Sequence, residues 1–308
     1  MAEEPTLAIS VVDPIDPAFK RAKLLCFSPF DLEKWFVIGF CAWLATLGNS
    51  GFNLPYDSYG KPSGFVESWR NHFPVELMLV VLFVSIAAAI GFLIMVVLVW
   101  LTSRGRFMFL HCVATNHAQV KVPWRLYGRQ ANSLFVFRIV AAIIFFVCQL
   151  PLWVIAGFCI HLLSRNSTFI NIPIVSAVVI LFVLIAAVFV VFLLTMKFTN
   201  DFVVPVMYLR RLSCVDAWRE YLPLLRNNKA RFIVYILFQF VISLVISAIL
   251  FTLALATCCC AACLFSIPYI GTVILLPIFV FKRSYSLMYL RQYGSEFDVF
   301  ADLPLFEA

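Results

Sequence analysis

Apolar residues run along this chain in long blocks, not in the alternation of a half-buried strand. Six stretches contain no Asp, Glu, Lys or Arg: Trp35–Leu47, Leu77–Leu101, Ile139–Leu163, Phe169–Met196, Phe232–Ile267 and Pro268–Phe281. A helix rising about 1.5 Å per residue crosses about 30 Å of hydrocarbon in about 20 residues. The second to fifth stretches are each long enough. The last two abut, and Phe232–Phe281 holds 50 residues without a charge, too long for one crossing. They read as a helical hairpin with a tight bend near Ser266–Gly271. The first stretch has 13 residues. Ser28-Pro29-Phe30-Asp31 ahead of it is a capping-box pattern with Pro at the first helical position. Helix is therefore expected before Trp35, with Asp31, Glu33 and Lys34 in the interface. The pattern predicts an all-α polytopic transmembrane bundle of about six spans.

Composition fits that class and excludes others. Of 308 residues, 63% are hydrophobic and 13% charged, and the mean hydropathy is +0.99. Soluble domains average roughly 45–50% apolar and about 25% charged. So few charges cannot cover this much apolar surface. A water-soluble enzyme, a nucleic-acid binder and a disordered chain are excluded.

The net charge of +7 tests the topology. Twenty basic residues fall on one predicted side: four before the first span, six between spans two and three, seven between four and five, and three after six. The opposite side holds Lys61, Arg70 and Arg165. By the positive-inside rule both termini are cytoplasmic. A five-span chain would put the N-terminal cluster outside. The expected organisation is a cytoplasmic segment 1–27, a six-span domain 28–290 and a cytoplasmic tail 291–308. The first 30 residues carry four prolines and no long apolar core, so no cleaved leader is expected.

The predicted spans pair into three degenerate hairpin repeats. Exits at Arg104–Leu110, Asn200–Val206 and Lys282–Met288 resemble one another. Two are followed by Trp-Arg, at Trp124-Arg125 and Trp218-Arg219, and then by a basic residue opening an apolar run. Ser213-Cys214-Val215-Asp216 is a second capping-box pattern. Val215, Trp218, Leu222 and Leu225 follow at helical spacing, and Pro223 interrupts late. An amphipathic interfacial helix is expected here, anchored by Trp218 and Tyr221. Arg210, Arg211, Arg219, Lys229 and Arg231 around it form a candidate surface for anionic head groups or a protein partner.

Reactive chemistry is sparse. Gln149 and Gln239 are the conspicuous polar residues within the spans and are expected to form interhelical hydrogen bonds. Asp201 is the nearest thing to a buried acid, and a helix N-cap accounts for it; a functional role is the alternative. Pro151, Pro268 and Pro277 are kink sites. His111, Cys112 and His117 have no standard metal spacing, so no metal or cofactor is expected. Cys258, Cys259, Cys260 and Cys263 cluster at the outer end of span five. Small packing residues account for them, with a disulfide as the alternative. The first outer loop, Gly48–Phe73, carries six aromatics and is expected to lie on the membrane surface. Asn166-Ser167-Thr168 matches a glycosylation acceptor.

Three stretches carry a resemblance: Phe27–Trp35 (FSPFDLEKW), Asp201–Tyr208 (DFVVPVMY) and Leu290–Gly294 (LRQYG). They resemble uncharacterised bacterial multi-pass membrane proteins akin to the membrane domain of some glycerophosphodiester phosphodiesterases. The resemblance implies a bacterial inner-membrane protein. The phosphodiesterases' catalytic domain has no counterpart in this reading, so their activity does not carry over.

The sequence therefore points to a non-enzymatic membrane protein that organises lipid or a partner at its cytoplasmic face. The alternative is a transporter or channel for a weakly polar or lipid-like substrate. No nucleic-acid partner is expected.

Overall fold

The computed structural model describes residues 9–28, 30–47, 74–165, 172–257, 267 and 269–301. Among these, every regular element is helical. In order they are α1 (Ile15–Phe27), α2 (Leu32–Thr46), α3 (Pro74–Thr115), α4 (Lys121–Leu126), α5 (Gly128–Arg165), α6 (Ile172–Phe198), a π-helical turn (Thr199–Val203), α7 (Val204–Arg210), α8 (Cys214–Asn227), α9 (Lys229–Ala256), α10 (Ile270–Ile274), α11 (Leu276–Arg291) and a 3₁₀ turn (Ser295–Phe297).

Four of the described helical segments are long and apolar enough to cross a membrane: Met78–Thr115, Gly128–Leu163, Ile172–Arg210 and Lys229–Ala256. They correspond to the second to fifth predicted spans. The first and sixth are different. α2 has 15 residues, about 22 Å of helix. The sixth is divided at Leu275, and the helix restarts with Pro277 in its first turn. A proline is tolerated there because its missing N–H has no helical partner to lose. The cysteine cluster at 258–263, the aromatic loop 48–73 and Asn166–Thr168 lie outside the described residues.

Burial is strongly polarised along the long helices. α3 has 42 residues, about 63 Å, twice the hydrocarbon thickness. Residues 78–95 are exposed, whereas Phe107, Met108, Leu110, Cys112 and Val113 are fully buried. Exposed apolar helix bodies of this kind suit lipid, which needs no polar cover. The packed core sits at the other end, where the basic residues are. There α1 lies on α11, α2 against α3 and α10, and α5 between α3 and α6.

Specific contacts close this end. Arg21 Nη2 donates to the carbonyls of Val113 (3.1 Å) and Ala114 (2.7 Å), satisfying the C-terminal turn of α3. Ser10 N donates to Gln292 Oε1 (2.8 Å), and Gln292 Nε2 returns a bond to Ser10 O (2.9 Å). Tyr285 Oη donates to Val11 O at 2.8 Å. Close backbone approach needs small residues: a Cβ on Gly105 would lie 2.6 Å from the Leu44 backbone carbon, and one on Gly39 2.6 Å from Val273 Cγ2.

The predicted caps divide. Ser213 caps α8 as expected, its Oγ accepting from Asp216 N at 3.3 Å and donating to Asp216 Oδ2 at 2.6 Å. Ser213→Ala should cost about 1 kcal/mol, read as a lower Tm in detergent. Ser28 does not cap α2; it ends α1. Asp31 takes the role, accepting from Glu33 N at 2.9 Å, because a residue nearer the helix start reaches its free N–H groups directly.

Candidate functional site at the basic end

α6 does not stop where its apolar run stops. It passes through the π-helical turn Thr199–Val203 into α7, so Asp201 lies inside a continuous helical path and is no N-cap. The wider turn holds one extra residue and rotates the following side chains, a device frequent at functional sites. Here it aims Asp201 and Phe202 inward.

Phe202 is fully buried and centres an aromatic core. Its ring stacks on Tyr221 (centroids 5.4 Å apart), meets Phe232 edge-on at 5.3 Å and approaches Tyr235 at 5.0 Å. Tyr235 in turn lies 4.5 Å from Tyr289. Tyr221, expected at the membrane interface, therefore belongs to the interior. Burial pushes its hydroxyl well above the ordinary tyrosine range. α8 turns Cys214, Ala217 and Tyr221 inward, while Val215 and Leu222 face out. The small Cys214 and Ala217 allow close packing, and Cys214 N donates to Ser133 Oγ of α5 at 2.9 Å. Burial raises the Cys214 thiol to about 12.

Asp201 is the acidic node of this region, with its side chain 14% exposed. Lys197 Nζ, one turn earlier, pairs with it at 2.8 Å. Tyr235 Oη donates to Asp201 Oδ2 at 3.1 Å and accepts from Gln239 Nε2 at 3.1 Å. Gln239 was expected to bond between helices and instead bonds within α9, because Tyr235 stands one turn away. Gln149 does bridge helices, donating to Ile185 O at 3.1 Å. Around Asp201 gather more cations than it can pair. Arg283 Nη1 donates to Asn200 O at 2.6 Å, and Arg138 Nη1 to Ser103 Oγ at 3.4 Å. Lys282 Nζ donates to Ser243 Oγ at 3.2 Å. Arg106 is 8% exposed.

The surface residues expected to bind head groups are distributed unequally. Arg210 pairs with Glu220 and Glu296, the latter at 2.6 Å. Arg219 pairs with Asp216 at 3.6 Å, and Arg231 Nη1 donates to Asn228 Oδ1 at 3.3 Å. Trp218 is half-buried, stacked 6.2 Å from Phe137. Lys229 is exposed. Arg211, with φ +54° at the end of α7, helps line a cavity of about 250 Å³ with Arg129, Gln130, Ser133, Ser213 and Asp216. A groove of about 740 Å³ lies between α1, α9 and α11, lined by Phe19, Lys23, Phe27, Phe238, Ile242 and Phe281. Arg104 is clamped between the rings of Trp100 and Trp124, each 4.7 Å away.

Sequence reading missed Tyr235 as the hydrogen-bond partner of Asp201, Arg106 and Arg283 as cations within its electrostatic range, and Arg138 as a cation beside Arg106. One signal was available: Tyr235 and Gln239 form a polar pair at i, i+4 inside an otherwise apolar run.

No curated protein and no solved structure matches the chain. Nothing in the comparisons ties it to glycerophosphodiester phosphodiesterases. Residues 9–274 match the model of a family of unknown function, DUF7544, and the chain belongs to that family.

Proposed function

We propose that this chain is a non-enzymatic membrane protein that organises anionic lipid, or a protein partner, at its basic end. In this reading the basic end faces the cytoplasm of a bacterial inner membrane, with both termini on that side. α2 and the broken α10–α11 pair complete a six-span bundle of three hairpins. The observation that carries the reading is the polarity of packing. The apolar helix bodies are bare, while the basic end is a packed core that presents Arg129 and Arg211 at an open cavity. The apolar groove that Lys23 helps line has the chemistry of an acyl-chain rest with a cation beside it.

The test neutralises Arg211, Lys229 and Arg231 together to Gln. Each basic residue near an anionic surface contributes about 1 kcal/mol, so retention of phosphatidylglycerol in native mass spectrometry should fall tenfold or more. Retention of phosphatidylcholine should not change. Equal retention of phosphatidylglycerol by the variant and the parent overturns the reading. Saturable movement of a weakly polar or lipid-like solute through proteoliposomes would establish a transporter instead.

A further inference from the structure

The geometry points to a buried phosphate-binding site formed by Arg106, Arg138 and Arg283, where three apolar helical runs end. It rests on the lipid reading only for the source of the phosphate, since its residues are separate from the surface set.

The first argument is charge. Arg106 lies in electrostatic range of Arg138, Arg283 and Asp201, and Lys282 in range of Lys197 and Asp201. Four cations, Arg106, Lys197, Lys282 and Arg283, thus share one carboxylate, Lys197 already pairs with it, and Arg138 adds positive charge beside Arg106. A buried cation without a counter-charge is costly, and a protein keeps one where a ligand supplies the missing charge. The second argument is hydrogen bonding. Arg106 Nη1 is buried and has no partner, so its desolvation is uncompensated. Each guanidinium carries five N–H donors. Arg283 is held through Nη1 by Asn200 O, and Arg138 through Nη1 by Ser103 Oγ. Both keep further donors and are half-buried, beside the more deeply buried Arg106.

The third argument is depth. Arg138 immediately precedes the charge-free run Ile139–Leu163. Arg283 follows the run ending at Phe281 by two residues, and Arg106 follows Leu101 by five. On the six-span reading all three residues fall where hydrocarbon gives way to head groups, which is the level of lipid phosphate. Guanidinium forks match phosphate oxygens in pairs, a better fit to several arginines than a single carboxylate or chloride would be.

The experiment uses the full chain in detergent, stripped of lipid and then titrated separately with phosphatidylglycerol and with inorganic phosphate, reading Tm. Stabilisation by phosphatidylglycerol alone assigns a lipid phosphate, and stabilisation by both assigns a free phosphate. Neither ligand acting overturns the site. Arg106→Gln should weaken the response roughly tenfold. It should also raise Tm in the stripped state, because an unpaired buried charge has gone. The more exposed Arg138→Gln reads the same loss if Arg106→Gln does not fold. In the background of the triple change at Arg211, Lys229 and Arg231 the surface contribution is gone, yet the difference between Arg106 and Arg106→Gln should persist, which separates failure here from failure of the surface reading. Identical responses of parent, Arg106→Gln and Arg138→Gln overturn the proposal.

Discussion

Gly105→Val is expected to separate α2 from α3 and to lower stability by about 3 kcal/mol, the upper end for overpacking. The reason is the identity of the atoms met. A Cβ at this position would lie 2.6 Å from both the Leu44 backbone carbon and Leu44 Cβ, and 2.7 Å from Ala45 N. A backbone cannot rotate away as a side chain can. The two helices must part, and their separation strips the contacts around Cys41 and Cys112, whose sulfurs lie 3.9 Å apart in that interface. Gly39→Ala is the control. Its new methyl meets Val273 Cγ2 at 2.6 Å and Val273 Cα only at 3.3 Å, so the closest clash is with a side chain and its cost should be smaller. Thermal unfolding in detergent, followed with a thiol-reactive dye, measures both, since Cys26, Cys41, Cys112 and Cys214 are buried in the folded state. A Gly105→Val protein as stable as its parent would remove the argument for close α2–α3 contact.

Asp201→Ala should cost about 1–3 kcal/mol: its side chain is 14% exposed and bonds Tyr235, but Lys197 is 40% exposed, so water screens that pair. The deletion strands Lys197, leaves Tyr235 Oη without its acceptor and increases the cationic excess around Arg106 and Arg283. Asp201→Asn keeps an acceptor for Tyr235 while removing the charge, so the difference between the two variants isolates the hydrogen bond, about 1 kcal/mol. A loss below about 1 kcal/mol in Asp201→Ala would show that the carboxylate is effectively solvated. If a phosphate sits among the arginines, the same variant should gain more from phosphatidylglycerol than its parent does, because the ligand then supplies the charge that the substitution removed.

The four long spans were legible because lipid leaves a simple mark, an uninterrupted run without charge. The ends of those helices left no such mark. Bounding each run at the first charge on either side leaves Arg104, Arg106 and Arg138 between the second and third spans. The helices in fact continue past that charge, and hydropathy does not report whether an arginine beyond the hydrocarbon meets water or a neighbouring helix. Arg104 meets Trp100 and Trp124, and Arg106 meets the core. Asp201 was read as a cap because an apolar run resumes after it. A π-helical turn has no composition signature, so the sequence could not distinguish a new helix from an old one widened by a residue. Tyr221 of α8 is expected at the membrane interface and is buried instead for a related reason. Periodicity marks Val215 and Leu222 as apolar, but close packing selects the small Cys214 and Ala217 beside them.

The reciprocal amide bonds between Ser10 and Gln292 join positions separated by 282 residues. During synthesis α1 emerges early, yet the helix it rests on, α11, emerges near the end. Until then Ala18, Ala22 and Leu25 have no surface to cover them, and at a translation rate of about 5–20 residues per second the wait lasts tens of seconds. The nascent chain must therefore shelter α1 elsewhere, and the membrane surface beside the ribosome is the nearest apolar refuge. A chain terminated before α11 would leave α1 without the helix it packs against.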